Sequence, residues 1–227
     1  MKENRILFVE GADDQHTIWA ICEHFKVDET FIVEVPDGRG KINPKARPTE
    51  KGGIDNVLKA AELNLIAGSD AVKRLGIIID ADDDLDEQWK RVHRILEKAG
   101  YINLPDSPDS NGTTIEQEFL PTFGIWIMPD NQIRGMLEDF LEFLIPDKDE
   151  NEVWIKAVKC SQEILDEIRE EKRFSEIHLS KAKIHAYLAW QNEPGKPFGT
   201  AITAKYLQAD NLHCKIFVGW LQRLFAD

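Results

Sequence analysis

Two short apolar runs that each end in acid constrain this chain more than anything else in it. Arg5-Ile6-Leu7-Phe8-Val9 stops at Glu10-Gly11, and Leu75-Gly76-Ile77-Ile78-Ile79 stops at Asp80-Ala81-Asp82. Four or five consecutive apolar residues, rich in Ile and Val and bounded by turn formers, form the pattern of strands buried on both faces. An acid ending one such strand is ordinary. Acids ending two, one of them an Asp-x-Asp, point to a site, because ligands of open α/β sheets sit beyond the carboxyl ends of the strands.

The stretches between these runs read as helices and further strands. Ile18, Ile21, Cys22 and Phe25 recur at helical spacing within residues 15–25, with Asp13 or Asp14 as the cap. Residues 31–35 form the next strand, stopped by Pro36-Asp37-Gly38, and residues 54–67 a helix whose Val57, Leu58, Ala61 and Leu65 share one face. After the strand ending at Asp80, residues 85–99 form a helix with Trp89, Val92, Leu96 and Ala99 apolar and Gly100 closing it. Helices of this length between strands imply parallel pairing and right-handed crossovers, and so a Rossmann-like sheet. Strands at 113–119 and 123–128 bring it to about five, and a helix follows at 135–144. From Pro146 the pattern is helical, with a stripe through Trp154, Val158, Leu165 and Ile168 and further helices at 182–190 and 215–225. The expected organisation is an α/β core over residues 1–145, a mostly parallel sheet flanked by helices, with a helical C-terminal extension over 146–227 packed on it.

Composition narrows the setting. No run approaches the roughly 18 apolar residues of a membrane span, and the polar start is not a signal peptide, so a cytoplasmic protein without membrane contact is expected. Cys22, Cys160 and Cys214 are far apart and in no Cys-x-x-Cys spacing, which indicates neither a disulfide framework nor a zinc site. A net charge of −13 argues against a nucleic-acid partner as a whole, but local distribution matters more. Residues 37–51 carry five cations against two acids.

The natural occupant of acidic strand ends is a hard divalent cation, since magnesium prefers oxygen ligands and keeps waters that can face a substrate. Asp80 and Asp82, at i and i+2, point the same way in extended backbone and can share one Mg2+, with Glu10 approaching from the adjacent strand. Gly11 lets the chain turn tightly and come close to a phosphate. Asp84 keeps the i+2 spacing and is open to two roles, a ligand of a second metal or, with Asp86, a cap of the following helix. Glu116 and Glu118 share one face of a strand, which is either turned to the site or solvated. Glu138 and Asp139 are further acids in the same half. Gly38-Arg39-Gly40-Lys41 follows a strand and offers Arg39 and Lys41 to a phosphate, but lacks the spacing of a P-loop.

Phe8-Val9-Glu10-Gly11 and Ile77-Ile78-Ile79-Asp80-Ala81-Asp82, in this order and strand context, resemble the Toprim superfamily of topoisomerase catalytic domains, primases and overcoming-lysogenisation-defect-type nucleases. Within it the chain looks most like a small Toprim-like family of similar length, in which segments such as Met128-Pro129-Asp130-Asn131 are typical. The resemblance covers about the first 145 residues. It implies a Toprim fold and Mg2+-dependent phosphodiester chemistry on DNA or RNA, with Mn2+ as a substitute ion. By the same resemblance Asp80 and Asp82 are metal ligands, and Glu10 is a general acid or base or completes the metal site. Some Toprim nucleases use a lysine beyond the core to stabilise charge at the phosphate, which makes Lys181 and Lys183 candidates.

Nothing in the sequence matches an ATPase domain, a primase zinc motif or a strand-passage tyrosine domain, so topoisomerase and primase activities are not expected. The rival within the resemblance is a non-catalytic module that binds metal or nucleic acid and works with a protein partner or as a homo-oligomer. A haloacid-dehalogenase-type phosphatase would use Asp80 as nucleophile, but its motif continues with Thr and sits on the first strand. A receiver domain needs paired acids after its first strand, and Glu10-Gly11 does not supply them.

Overall fold

A computed structural model describes residues 4–36, 52–68 and 72–226. Arg39 and Lys41 therefore lie outside the described residues. Strand β1 (Arg5–Phe8) pairs in parallel with β2 (Ile32–Glu34) on one side and β3 (Arg74–Asp80) on the other. Strand β5 (Thr122–Met128) continues in parallel beside β3, and β4 (Thr113–Ile115) closes that edge antiparallel to β5. The order is β2-β1-β3-β5-β4, a five-stranded, mostly parallel sheet with helices on both faces.

Alternation along the strands assigns the two faces. Ile6, Phe8, Leu75, Ile77, Ile79, Phe123, Ile125 and Ile127 join one core with helices α2 (Ile54–Ala67) and α3 (Leu85–Lys98). Leu7, Val9, Ile78, Trp126 and Met128 join the other, with α1 (Ala12–Phe25) and α4 (Leu137–Glu142). Strands filled on both sides leave no polar position, which is why β3 and β5 read as unbroken apolar runs. Gly100, at φ 95, follows α3 and returns its N–H to Glu97 O while Tyr101 N–H reaches Leu96 O, ending the helix as its glycine foretells.

Residues 146–227 are more than an extension. They hold α5 (Glu152–Glu167), α6 (Leu179–Ala189), α7 (Phe198–Thr203) and α8 (Leu212–Phe225). Helix α8 lies on the sheet itself: Trp220 Nε1 donates to Thr113 O at 3.1 Å, and Arg74 and Arg5 donate to the carbonyls of Leu224 and Phe225 at 2.7 and 3.0 Å. Gly76 and Gly124 stand side by side in register beneath it. A Cβ on Gly124 would come within 2.4 Å of Leu224 Cδ2, so these glycines make the depression that lets α8 approach. The tail thus supplies much of the second core.

Several element ends differ from expectation for local reasons. Helix α1 begins at Ala12, with Gly11 rather than Asp13 or Asp14 at the capping position. Strand β4 stops at Ile115, after which Gln117 turns inward to bridge Ile102 N–H and Gly100 O. Glu116 and Glu118 consequently share no strand face, and both are exposed. Helices α5 and α8 each start where an Asn caps them: Asn151 accepts from Trp154 N–H at 3.0 Å, and Asn211 from Cys214 N–H at 2.9 Å. Among the described residues no helix is long and apolar enough to cross a membrane.

Candidate active site

The carboxyl ends of β1 and β3 lie side by side, and their acids are tied together. Val9 N–H donates to Glu34 O just past β1, which carries the chain in line to Glu10. Glu10 Oε1 accepts the backbone N–H of Asp80 at 2.8 Å, and the backbone N–H of Ile54, in the first turn of α2, bonds the same carboxylate. Gly53 N–H holds the Glu10 carbonyl at 2.9 Å. Asp80 in turn accepts from Leu137 N–H, at the start of α4, at 2.9 Å. Two strands and the starts of two helices therefore fix Glu10 and Asp80.

Asp82 is placed differently from the expectation. The strand ends at Asp80, and Asp82 has φ 50, in the left-handed region, so the i, i+2 alternation that would align the two carboxylates is broken. Its backbone instead pairs with Gly135 in both directions at 2.9 Å, which locks the β3–α3 loop to the β5–α4 loop. Of the two roles open to Asp84, the structure shows the cap: its Oδ1 accepts from Glu87 N–H at 2.9 Å at the start of α3. Asp84→Ala is expected to lower stability by about 1 kcal/mol, as loss of a helix cap does. Urea unfolding checks this, and an unchanged midpoint would contradict the capping role.

Gly11 is extended, at φ −148 and ψ 175, which any residue adopts, so it makes no tight turn. Its missing Cβ instead leaves room for the Asp14 carboxylate, whose Oδ2 would lie 3.2 Å from one. Asp14 accepts the Gly11 N–H from the third helical position, the carboxylate half of a capping box.

Asp14 and Glu138 are the acids that sequence reasoning missed as part of the site. Both are buried, at 8% and 5% exposure, and their charges act on Asp80 together with those of Glu10 and Asp82. A signal was present. Asp14 falls on the apolar stripe of α1 with Ile18 and Ile21, and Glu138 on the buried face of α4 with Leu137 and Leu141, and an acid on a buried face needs a reason. The cost of gathering these groups shows in their protonation. Burial, with the Asp82 charge adding to it, pushes Glu10 up to about 7 against the lowering pull of the Asp80 N–H. Burial and then the Glu10 charge push Asp14 up to about 7. Asp80 is held well above the usual carboxylate range by burial first and then by Glu10, Asp14, Glu138 and Asp82. Asp82 is raised by burial and by Asp83.

Two cations face this cluster. Arg91 on α3 bonds Asp55 and Gln88, and its charge works against the rise at both Glu10 and Asp82. Lys181, at the start of α6, stands 3.3 Å from Glu138. Of the two lysine candidates the structure thus brings Lys181 to the cluster. The Lys183 ammonium makes no ion pair or hydrogen bond among the described residues.

The donors at the site are carboxylate oxygens, which suit Mg2+ or Mn2+ in kind. Their spacing is another matter: no three Asp, Glu, His or Cys side chains among the described residues stand so as to hold one metal ion. Glu10 and Asp80 each give an oxygen to a backbone N–H, and Asp82 sits beyond the break in the strand. Holding an ion would require the Asp82 side chain or the carboxylate rotamers to turn toward it.

No curated protein and no solved structure matches the chain. One family model, described as protein of unknown function (DUF3226), matches residues 4–226. That match takes in the sheet, the acid cluster and the C-terminal helices together, and the chain belongs to the DUF3226 family.

Proposed function

We propose that the acid cluster is the active centre of a Toprim-like, divalent-metal-dependent phosphodiesterase that cleaves DNA or RNA in the cytoplasm. The observation that carries this reading is the junction of Glu10 and Asp80 across adjacent strand ends, with Asp14, Asp82 and Glu138 crowded around them. Like charges brought together under partial burial repel one another and forgo solvation. Such an arrangement is costly as scaffolding and useful as a cation site at the place where α/β sheets bind ligands. All three cysteines are free thiols, as in a reducing compartment.

Asp80 and Asp82 would hold Mg2+ or Mn2+ once their side chains turned toward the ion, and Glu10 either completes that set or serves as general acid or base. When bound, the ion supplies charge neutralisation at the phosphate and a lowered pKa for the attacking water. The remaining roles belong to the chain. As acid or base rather than ligand, Glu10, oriented by the Asp80 and Ile54 N–H groups, can take a proton from water or return one to a leaving oxygen. Arg91 and Lys181 offer positive charge on either flank of an otherwise acidic site.

The test is a cleavage assay on single- and double-stranded DNA and RNA with Mg2+ or Mn2+, comparing the wild-type chain with Glu10→Gln and Asp80→Asn. The expected result is metal-dependent cleavage that chelation stops and both substitutions abolish. Cleavage untouched by both substitutions overturns the reading. An absence of cleavage, combined with metal-dependent thermal stabilisation that Asp80→Asn removes, replaces it with a metal-binding module.

A further inference from the structure

Beside the acid cluster lies a cleft of about 540 Å³, and its floor is Asp82 and Asp83. One wall is the β5–α4 loop with Arg134 and Met136, and the other is the C-terminal region around Ile177 and Ser180. Two contacts hold these walls in place: Ser180 Oγ donates to Asp139 at 2.5 Å, and Lys181 meets Glu138 at 3.3 Å. The backbone pair between Gly135 and Asp82 fixes Arg134, one residue away, relative to the catalytic acids.

Arg134 is the cation among the lining residues, and it is exposed. Its guanidinium makes no ion pair or hydrogen bond among the described residues, although Asp82, Asp83, Asp139 and Glu176 line the same cleft. Arg91 and Lys181 already have carboxylate partners. An unengaged guanidinium offers the planar fork that binds a phosphate through two parallel hydrogen bonds. The lining is mostly polar, and Met136, Ile177 and Leu179 add a small apolar part that a base can contact. The space is that of a small organic ligand, within the roughly 300–1,000 Å³ of such pockets, and far below what a double helix occupies.

We infer that this cleft receives an unpaired nucleic-acid strand, with Arg134 gripping one backbone phosphate and so presenting the neighbouring phosphodiester to the acid cluster. The inference rests on the hydrolase reading above and adds the substrate form and a positioning residue. The C-terminal region is then a wall of the substrate site as well as a layer of the core.

The test is binding without turnover. Ca2+ replaces Mg2+, and fluorescence anisotropy follows the wild-type full chain with short fluorescein-labelled single-stranded DNA, single-stranded RNA and duplex DNA. Either single strand is expected to bind at least about tenfold more tightly than the duplex, and Arg134→Ala to weaken that binding about tenfold, the loss of one charge-assisted contact. The slope of affinity against salt should fall by about one in Arg134→Ala, and Arg134→Lys should recover part of the affinity. Equal binding by wild type and Arg134→Ala, a preference for the duplex, or no binding of any probe overturns the inference. Cleavage that proceeds unchanged in Arg134→Ala removes this inference alone. Arg134-dependent single-strand binding without any cleavage keeps the cleft and removes the hydrolase.

Discussion

Trp220→Ala is expected to destabilise the protein by roughly 3–5 kcal/mol, the upper range for a buried aromatic truncation, and a chain stopped before Asn211 to lose its cooperative thermal transition. Trp220 is wholly buried on α8, with its ring 5.8 Å from that of Trp126 on β5 and 5.9 Å from that of Phe217. Truncation leaves a cavity over the sheet and also removes the indole N–H from the Thr113 carbonyl on edge strand β4, orphaning a buried acceptor. Stopping the chain before α8 goes further. It uncovers the face formed by Leu7, Ile78 and Trp126 and the depression over Gly76 and Gly124 that Leu224 fills. Calorimetry and urea unfolding check both. A loss under about 1 kcal/mol for Trp220→Ala, together with a cooperative melt of the shortened chain, would mean that the sheet and the preceding helices fold without α8.

That dependence marks where the sequence stopped being informative about the fold. The runs that became β1, β3 and β5 were legible because burial on both faces removes every polar residue and leaves an unmistakable pattern. Helix α2 was legible to the residue, since glycines bound it at Gly53 and Gly68. The spacing in the tail pointed to helices but carried no information about what buries them, and the face α5 buries runs through Trp154, Ala157 and Ser161 rather than to Ile168, so the tail read as an extension rather than as half of a core. Helix α7, six residues long, is too short for periodicity to register.

The site divides along the same line. Glu10 and Asp80 were readable because a strand end is a position that local pattern fixes. The orientation of Asp82 was not, because it depends on a left-handed turn set by pairing with Gly135, distant in sequence. Asp14 and Glu138 join the cluster through helix packing, and Arg91 through the approach of α3 to α2, which no local signal encodes.

In buffer free of divalent cations, Asp14→Asn is expected to be more stable than the wild type at pH 8 by roughly 2–4 kcal/mol, and the difference to vanish by about pH 4. The sign follows from protons. Asp14 titrates at about 7 in the folded protein against its ordinary 3.8, so between those values the folded state holds a proton that the unfolded chain has released. Raising the pH through that window therefore favours unfolding: the contribution is fully present below about pH 4 and lost once the pH passes about 7. The rise from 3.8 to about 7 corresponds to roughly 4 kcal/mol, and because part of it is the Glu10 charge, neutralising Asp14 also relieves Glu10. Asn keeps an oxygen for the Gly11 N–H and brings no charge, so it isolates the electrostatic cost from the capping contact. Urea unfolding of both proteins from pH 4 to 8 reads the difference directly. If Asp14→Asn is less stable by the same amount at every pH, Asp14 serves as a helix cap and the repulsive cluster is not what its burial reflects. If the difference instead grows with pH as predicted, the wild type keeps a carboxylate that works against its own fold at neutral pH, and a bound cation is the agent that would cancel the penalty. Mg2+ or Mn2+ at pH 8 should then raise the melting temperature of the wild type, and Asp80→Asn should remove most of that gain.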